Sequence, residues 1–148
     1  MKICLTSSAG GQLLQMLQLE SIYKKYDHFF LTFKKTTTES LANKEKVYFV
    51  TMPGRNPLKI LSCLIQSLII LLKQNPDVVI STGSGVTLPI CFYAKFFGKK
   101  IIYIESFSRV DSPSFTGRLL YRFSDLFIIQ WKPLLKYYKN AIYGGPIF

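Results

Sequence analysis

Apolar residues in this chain fall in short unbroken runs, separated by small, polar or glycine-bearing stretches. The pattern is clearest at residues 77–105, DVVISTGSGVTLPICFYAKFFGKKIIYIE. A run at 77–81 predicts a buried strand, 82–85 a glycine-bearing turn and 86–97 an apolar helix stopped by Gly98. A second buried strand follows at 99–105 and ends in the carboxylate of Glu105. Two continuously apolar strands joined by a helix predict a parallel, right-handed crossover covered on both faces.

The same alternation extends in both directions. Residues 2–6 predict a first strand, 7–12 a small-residue turn and 13–23 a helix with leucines at helical spacing. Strands are expected at 28–33 and 47–51, with a polar connection holding a short helix at 34–43 between them. A loop of breakers at 52–57 precedes a long apolar helix at 58–72. Beyond Glu105 come a polar loop (107–115), a short helix (116–123), a strand (125–130), a basic helix ending near Lys139 and a last strand at 141–143. The expectation is one α/β domain over residues 1–148, Rossmann-like, with a doubly wound parallel sheet of six or seven strands.

Such sheets bind ligands at the carboxyl ends of their strands. Three predicted turns reach that edge, at residues 7–12, 81–85 and 105–109, and each brings small, polar or ionic side chains. The turn Ser7-Ser8-Ala9-Gly10-Gly11-Gln12 has the glycines and helix start of a phosphate cradle. It lacks the spacing of the dinucleotide fingerprint and the Gly-Lys-Ser/Thr of a Walker loop, so a tight turn without a ligand stays open.

Length and composition narrow the classes. At 148 residues the chain is too short for a two-domain enzyme, and 49% hydrophobic with 15% aromatic residues excludes a disordered tail. The net charge of +11 attracts polyanions, whether nucleic acid, lipid headgroups or diphosphates. Nucleic acid is the weakest of these, because no recognition helix or stacking platform is visible. Cys4, Cys63 and Cys91 lie in apolar runs without zinc spacing and read as reduced buried thiols, and no metal site is expected. The start MKICLTSSAGG lacks the apolar core of a signal peptide. The helix at 58–72 is too short to span a bilayer, and Lys59, Ser62, Gln66 and Lys73 form one polar stripe on it. It reads as a core helix with one wet edge, an interfacial membrane helix being the alternative. His28, at the start of a strand, reads as structural.

The segments SSAGGQLLQ (7–15), STGSGVTLP (81–89) and IESFSRVDSPSFTGRLLY (104–121) together resemble a family of small bacterial polysaccharide-biosynthesis proteins. These are glycosyltransferase enhancer subunits of capsule and exopolysaccharide pathways, related to the membrane-recruiting subunit of the two-part UDP-N-acetylglucosamine transferase. The resemblance implies the N-terminal, acceptor-side half of a GT-B glycosyltransferase, with residues 143–148 as the approach to a donor domain carried by a separate protein. It implies a peripheral protein at the cytoplasmic face of an anionic membrane. Its acceptor would be a polyprenyl-diphosphate-linked saccharide, to which a hexose or N-acetylhexosamine is added. No cofactor is implied in this chain, and the UDP-sugar donor would bind the partner subunit.

By that resemblance Ser8, Gly10, Gly11 and Gln12 line the acceptor diphosphate or sugar, with Ser84, Gly85, Glu105, Ser106 and Arg109 on the same cleft. Relatives commonly carry His where this chain has Gln12, and an amide cannot take a proton at neutral pH. Glu105 is then the remaining candidate base; the alternative is that it caps a helix or pairs with Arg109 or Arg118. Arg118 and Arg122 read either as a solvated helix face or as diphosphate or lipid contacts. The other functional readings are a self-sufficient nucleotide-sugar transferase and a basic nucleic-acid-binding module.

Overall fold

The computed structural model describes residues 1–148. Strand and helix alternate throughout, as β1 (Lys2–Thr6), α1 (Gly11–Leu17), α2 (Glu20–Tyr23), β2 (Asp27–Thr32), α3 (Thr36–Ala42) and β3 (Val47–Phe49). Then follow α4 (Pro57–Gln74), β4 (Val78–Ser81), a 3-10 turn at Gly85–Thr87, α5 (Leu88–Phe96), β5 (Lys100–Ile104) and α6 (Phe115–Leu120). The chain closes with β6 (Leu126–Ile129), a 3-10 turn at Lys132–Lys136 and β7 (Ile142–Tyr143).

All seven strands form one parallel sheet in the order β3-β2-β1-β4-β5-β6-β7. The order reverses at the β1–β4 pair, where Thr6 lies beside Ser81 on one flank and Leu31 on the other. Alternate strand residues serve two cores, which is why the strands read as unbroken apolar runs. Cys4, Phe29, Leu31, Val79, Ile101 and Phe127 pack with Cys63, Ile90 and Leu120 of α4, α5 and α6. Ile3, Leu5, Phe30, Ile80 and Ile104 pack with Leu13, Met16 and Tyr23 of α1 and α2.

Three expectations need correction. The helix expected over 13–23 breaks after Leu17, because the Leu19 amide closes a tighter turn onto the Met16 carbonyl and α2 starts afresh. The basic helix expected to end near Lys139 is only a 3-10 turn with proline near its start. The long helix is the largest difference. α4 meets the sheet through Cys63, Ser67, Ile70 and Leu71. On its opposite side Leu58, Leu61, Ile65, Ile69 and Leu72 are 77, 53, 51, 45 and 58% exposed. The polar stripe runs along its flank, where Gln66 Oε1 accepts the Thr51 N–H at 2.6 Å. α4 is therefore a core helix on one side only.

At the amino-terminal edge, carboxylates close the ends of the ladder. Asp77 Oδ2 accepts the Lys2 N–H at 2.8 Å and Asp125 Oδ2 accepts the Ile101 N–H at 2.9 Å. The Ile101 amide, helped by the charges of Lys95 and Lys100, holds the Asp125 carboxyl below its ordinary range. A carboxyl depressed on folding stabilises the fold above its unfolded pKa of about 3.9, and that contribution disappears as the pH falls through the folded value. Asp125→Asn is expected to cost about 1 kcal/mol at pH 7, a difference that shrinks as the pH is lowered below about 3.9, as read by urea melts over that range.

Candidate functional site at the carboxyl edge of the sheet

At the switch point the loops after β1, β4 and β5 come together. Ser8 Oγ–H donates to Gln12 Oε1 at 2.8 Å, and Thr82 Oγ1–H donates to the Gln12 carbonyl at 2.8 Å, tying the first loop to the second. The second loop is held by Ser81 Oγ, which accepts the Gly83 N–H and donates to Thr87 Oγ1, both at 3.1 Å. Ser84 lies at φ 91°, ψ 151°, a conformation that glycine normally occupies. Strain of this kind costs roughly 1–3 kcal/mol and concentrates at functional sites.

A cleft of about 220 Å³ opens between these loops, lined by Gln12, Ser84, Ser106, Ser108, Arg109 and Phe115 among others, with Glu105 at its floor. Five of the nine residues expected to form a site thus share one cleft: Gln12, Ser84, Glu105, Ser106 and Arg109. Ser8 stands behind Gln12. Gly10 borders a separate depression with Lys35, Thr36 and Thr37, while Gly11 and Gly85 line neither. The backbone demand in the paired glycines falls on Gly10, at φ 116°, ψ −136°, and Gly11 is the first residue of α1 with open space where a Cβ would stand. Gly10→Ala is expected to lose about 2 kcal/mol in denaturant melts. Gly11→Val should stay within about 1 kcal/mol of the parent in the same melts.

Glu105 is fully buried and accepts five hydrogen bonds. Oε1 receives the Ser114 hydroxyl at 2.7 Å, the Ser106 N–H at 3.0 Å and the Tyr103 hydroxyl at 3.2 Å; Oε2 receives the Tyr138 hydroxyl at 2.8 Å and the Ser114 N–H at 3.1 Å. It forms no ion pair with Arg109 or Arg118. Ser114 caps α6 by accepting the Gly117 N–H at 2.9 Å, so the carboxylate joins the end of β5 to the start of α6. Burial, and next the Glu105 charge, push the Tyr103 and Tyr138 phenols well above their usual range, which keeps both as donors. A side chain so committed holds the loop over 106–114.

A second buried network was not anticipated from sequence. Gln15 Oε1 accepts the Phe107 N–H at 2.9 Å and the Gln130 amide at 2.7 Å, and Gln130 Nε2 also donates to the Glu105 carbonyl at 2.9 Å. Gln130 Oε1 accepts the Ile147 N–H at 2.9 Å, so residues 144–148 return toward the cleft, where Phe148 packs edge-on to Phe107. Glutamine among the leucines of α1 was the visible signal. Tyr103, two residues before Glu105 and so on its face of the strand, was another.

Arg109 makes no ion pair and stands exposed at the cleft. The cysteines are buried, and burial raises the Cys4 and Cys91 thiols, Cys91 to about 12, so neither is a nucleophile at neutral pH. A hollow of about 650 Å³ lies between α1, α2 and α3. There His28 Nε2 and Glu45 Oε2 satisfy each other at 2.9 Å and Glu20 pairs with Lys24, a structural arrangement.

Solved structures share this architecture. MurG of Acinetobacter baumannii superposes with a TM-score of 0.72 at 16% identity, over 86% of this chain and 40% of that one. UDP-N-acetylglucosamine 2-epimerase of Rickettsia bellii gives 0.74 at 15% identity, over 99% of this chain and 43% of that one. The fold is thus the Rossmann-like α/β domain that forms the N-terminal half of GT-B glycosyltransferases.

Sequence comparison is more specific. The UDP-N-acetylglucosamine transferase subunit alg14 of Schizosaccharomyces pombe is 47% identical over 75 residues, covering 47% of this chain and 36% of the relative. The human subunit ALG14 is 40% identical over 81 residues, covering 51% and 38%. The chain thus matches a little over a third of the length of these relatives. A family model described as "Oligosaccharide biosynthesis protein Alg14 like" matches residues 51–147, which include Ser84, Gly85, Glu105, Ser106 and Arg109 but not the first loop. On that match, over the second and third loops of the cleft and the strands beneath them, the chain belongs to the Alg14-like family of oligosaccharide biosynthesis proteins.

Proposed function

We propose that this chain is the acceptor-side, membrane-docking subunit of a two-component glycosyltransferase. It pairs with a separate donor-binding subunit, which holds the UDP-sugar, and activates transfer of a hexose or N-acetylhexosamine to a polyprenyl-diphosphate-linked saccharide. The pathway is capsular or exopolysaccharide assembly at the cytoplasmic face of the membrane, where the protein sits peripherally.

The observation that carries this reading is an unfinished site. Small-molecule pockets typically enclose about 300–1,000 Å³, whereas the cleft at the switch point is about 220 Å³ and lined from one side of one domain. It offers hydroxyls, the Gln12 amide and the unpaired Arg109 cation, a set suited to an anionic diphosphate and its first sugar. Its buried carboxylate is occupied, so the transfer chemistry falls to the facing subunit. A surface for a partner is also present. No helix covers the β5–β7 half of the sheet on the α1 side, where Ile102, Leu126 and Ile128 stay half-buried and Ile142 is exposed.

Calorimetry separates this from a self-sufficient transferase. A short-chain polyprenyl-diphosphate saccharide should bind the isolated chain, and UDP-N-acetylglucosamine should bind only once the donor subunit is added. Tight binding of the UDP-sugar to the chain alone would overturn the proposal in favour of the second reading.

A further inference from the structure

α4 turns its apolar side outward. Leu58, Leu61, Ile65, Ile69 and Leu72 recur at steps of three and four along the side opposite the sheet, all exposed. At the far end Leu72 and Phe97 line one shallow hollow, and Phe96 beside them is 83% exposed. Phe92 of α5 carries the apolar surface across to Phe123, with ring centroids 5.4 Å apart. Together these side chains make a broad apolar face.

Its charge is one-sided. No Asp or Glu occurs between Glu45 and Asp77. Arg55 and Lys59 at the start of α4 and Lys73 at its end are exposed and form no ion pair. A second copy of this face would set cations against cations. An anionic lipid surface supplies both the missing negative charge and the apolar medium. Spanning is ruled out by the connections, because both ends of α4 run into strands of one sheet and its inner side is packed on that sheet.

We infer that the α4 face, extended by Phe92, Phe96 and Phe97 of the α5 end, seats the protein on an anionic bilayer with α4 lying along the surface. α4 follows β3 through the connection at 50–56, so its first turns lie on the side of the carboxyl edge that also carries the cleft. A lipid-linked diphosphate would thus reach Arg109 from the surface on which α4 rests. This deepens the proposed function by naming the membrane-binding face, yet it can be tested without any transfer.

The test is flotation of the whole chain with phosphatidylcholine vesicles with and without phosphatidylglycerol. The chain should float with the anionic vesicles, less so as salt rises. Leu61→Glu with Ile65→Glu should lower the partition coefficient by at least about tenfold. Ile22→Glu, on the opposite side of the sheet, should leave it unchanged, and the melting curves of both variants show that they are folded. Equal flotation of the α4 variant and the parent would overturn the inference. So would a parent that ignores vesicles, including one that self-associates through α4 instead. Transfer assayed in detergent with the donor subunit keeps the two ideas apart. Transfer without flotation contradicts only the docking face, and flotation without transfer contradicts only the glycosyltransferase role.

Discussion

Glu105→Ala should destabilise the protein by about 4 kcal/mol, the largest effect expected of any single substitution in the cleft. The change removes the common acceptor of two phenols, one hydroxyl and two amides. Each buried donor left without a partner costs roughly 1–3 kcal/mol, and only part of that total is recovered by relaxation. Glu105→Gln keeps the volume but points an amide N–H₂ at donors, and about 2 kcal/mol is expected for it. Urea melts read both variants. The same site can be approached from the other side, because a Cβ on Gly117 would stand 2.6 Å from the Tyr138 hydroxyl and 2.9 Å from Ser114 Oγ, and would also meet Glu105. A Glu105→Gln variant as stable as the parent but dead in transfer would restore the carboxylate as the catalytic base.

Arg109→Ala should do the reverse, lowering kcat/KM for the proposed lipid-linked acceptor by about 10- to 150-fold while the melting curve stays put. The guanidinium is exposed and unpaired, so its loss leaves nothing stranded in the fold. Charge-assisted hydrogen bonds to a diphosphate contribute about 1.5–3 kcal/mol, which is the stated range of rate. Arg109→Lys should recover part of the loss, since a point charge replaces a two-pronged donor. Unchanged acceptor kinetics in Arg109→Ala would remove the diphosphate from this cleft.

The sheet was legible because its strands are apolar on both sides. β1 falls at the predicted residues 2–6, and β4 and β5 differ from prediction by a residue at the ends. The gathering of Gln12, Ser84 and Glu105 followed from a topological rule about strand ends, without any knowledge of side-chain contacts. The role of Glu105 was only half legible: a holding role was anticipated as a helix cap or an arginine pair, whereas Ser114 is the cap and Glu105 holds Ser114. Its choice depended on Tyr138, 33 positions away, and on Ser114 across a loop.

α4 was the hardest element, for a physical reason. A helix that is apolar on nearly every side gives a periodic signal only from its polar stripe, and Lys59, Ser62, Gln66 and Lys73 naturally read as the wet edge. Which apolar side meets the sheet is decided by the crossover from β3 to β4, which no local pattern encodes. The break between α1 and α2 was invisible for a similar reason, as Leu17 and Leu19 both suit a continuous helix.

Sugar transfer reconstituted in detergent, with this chain alone, the donor subunit alone and the two together, tests the central claim most directly. The account predicts negligible turnover from either component and robust transfer to a polyprenyl-diphosphate saccharide from the pair. Full activity of the donor subunit by itself, or turnover by this chain by itself, would contradict it.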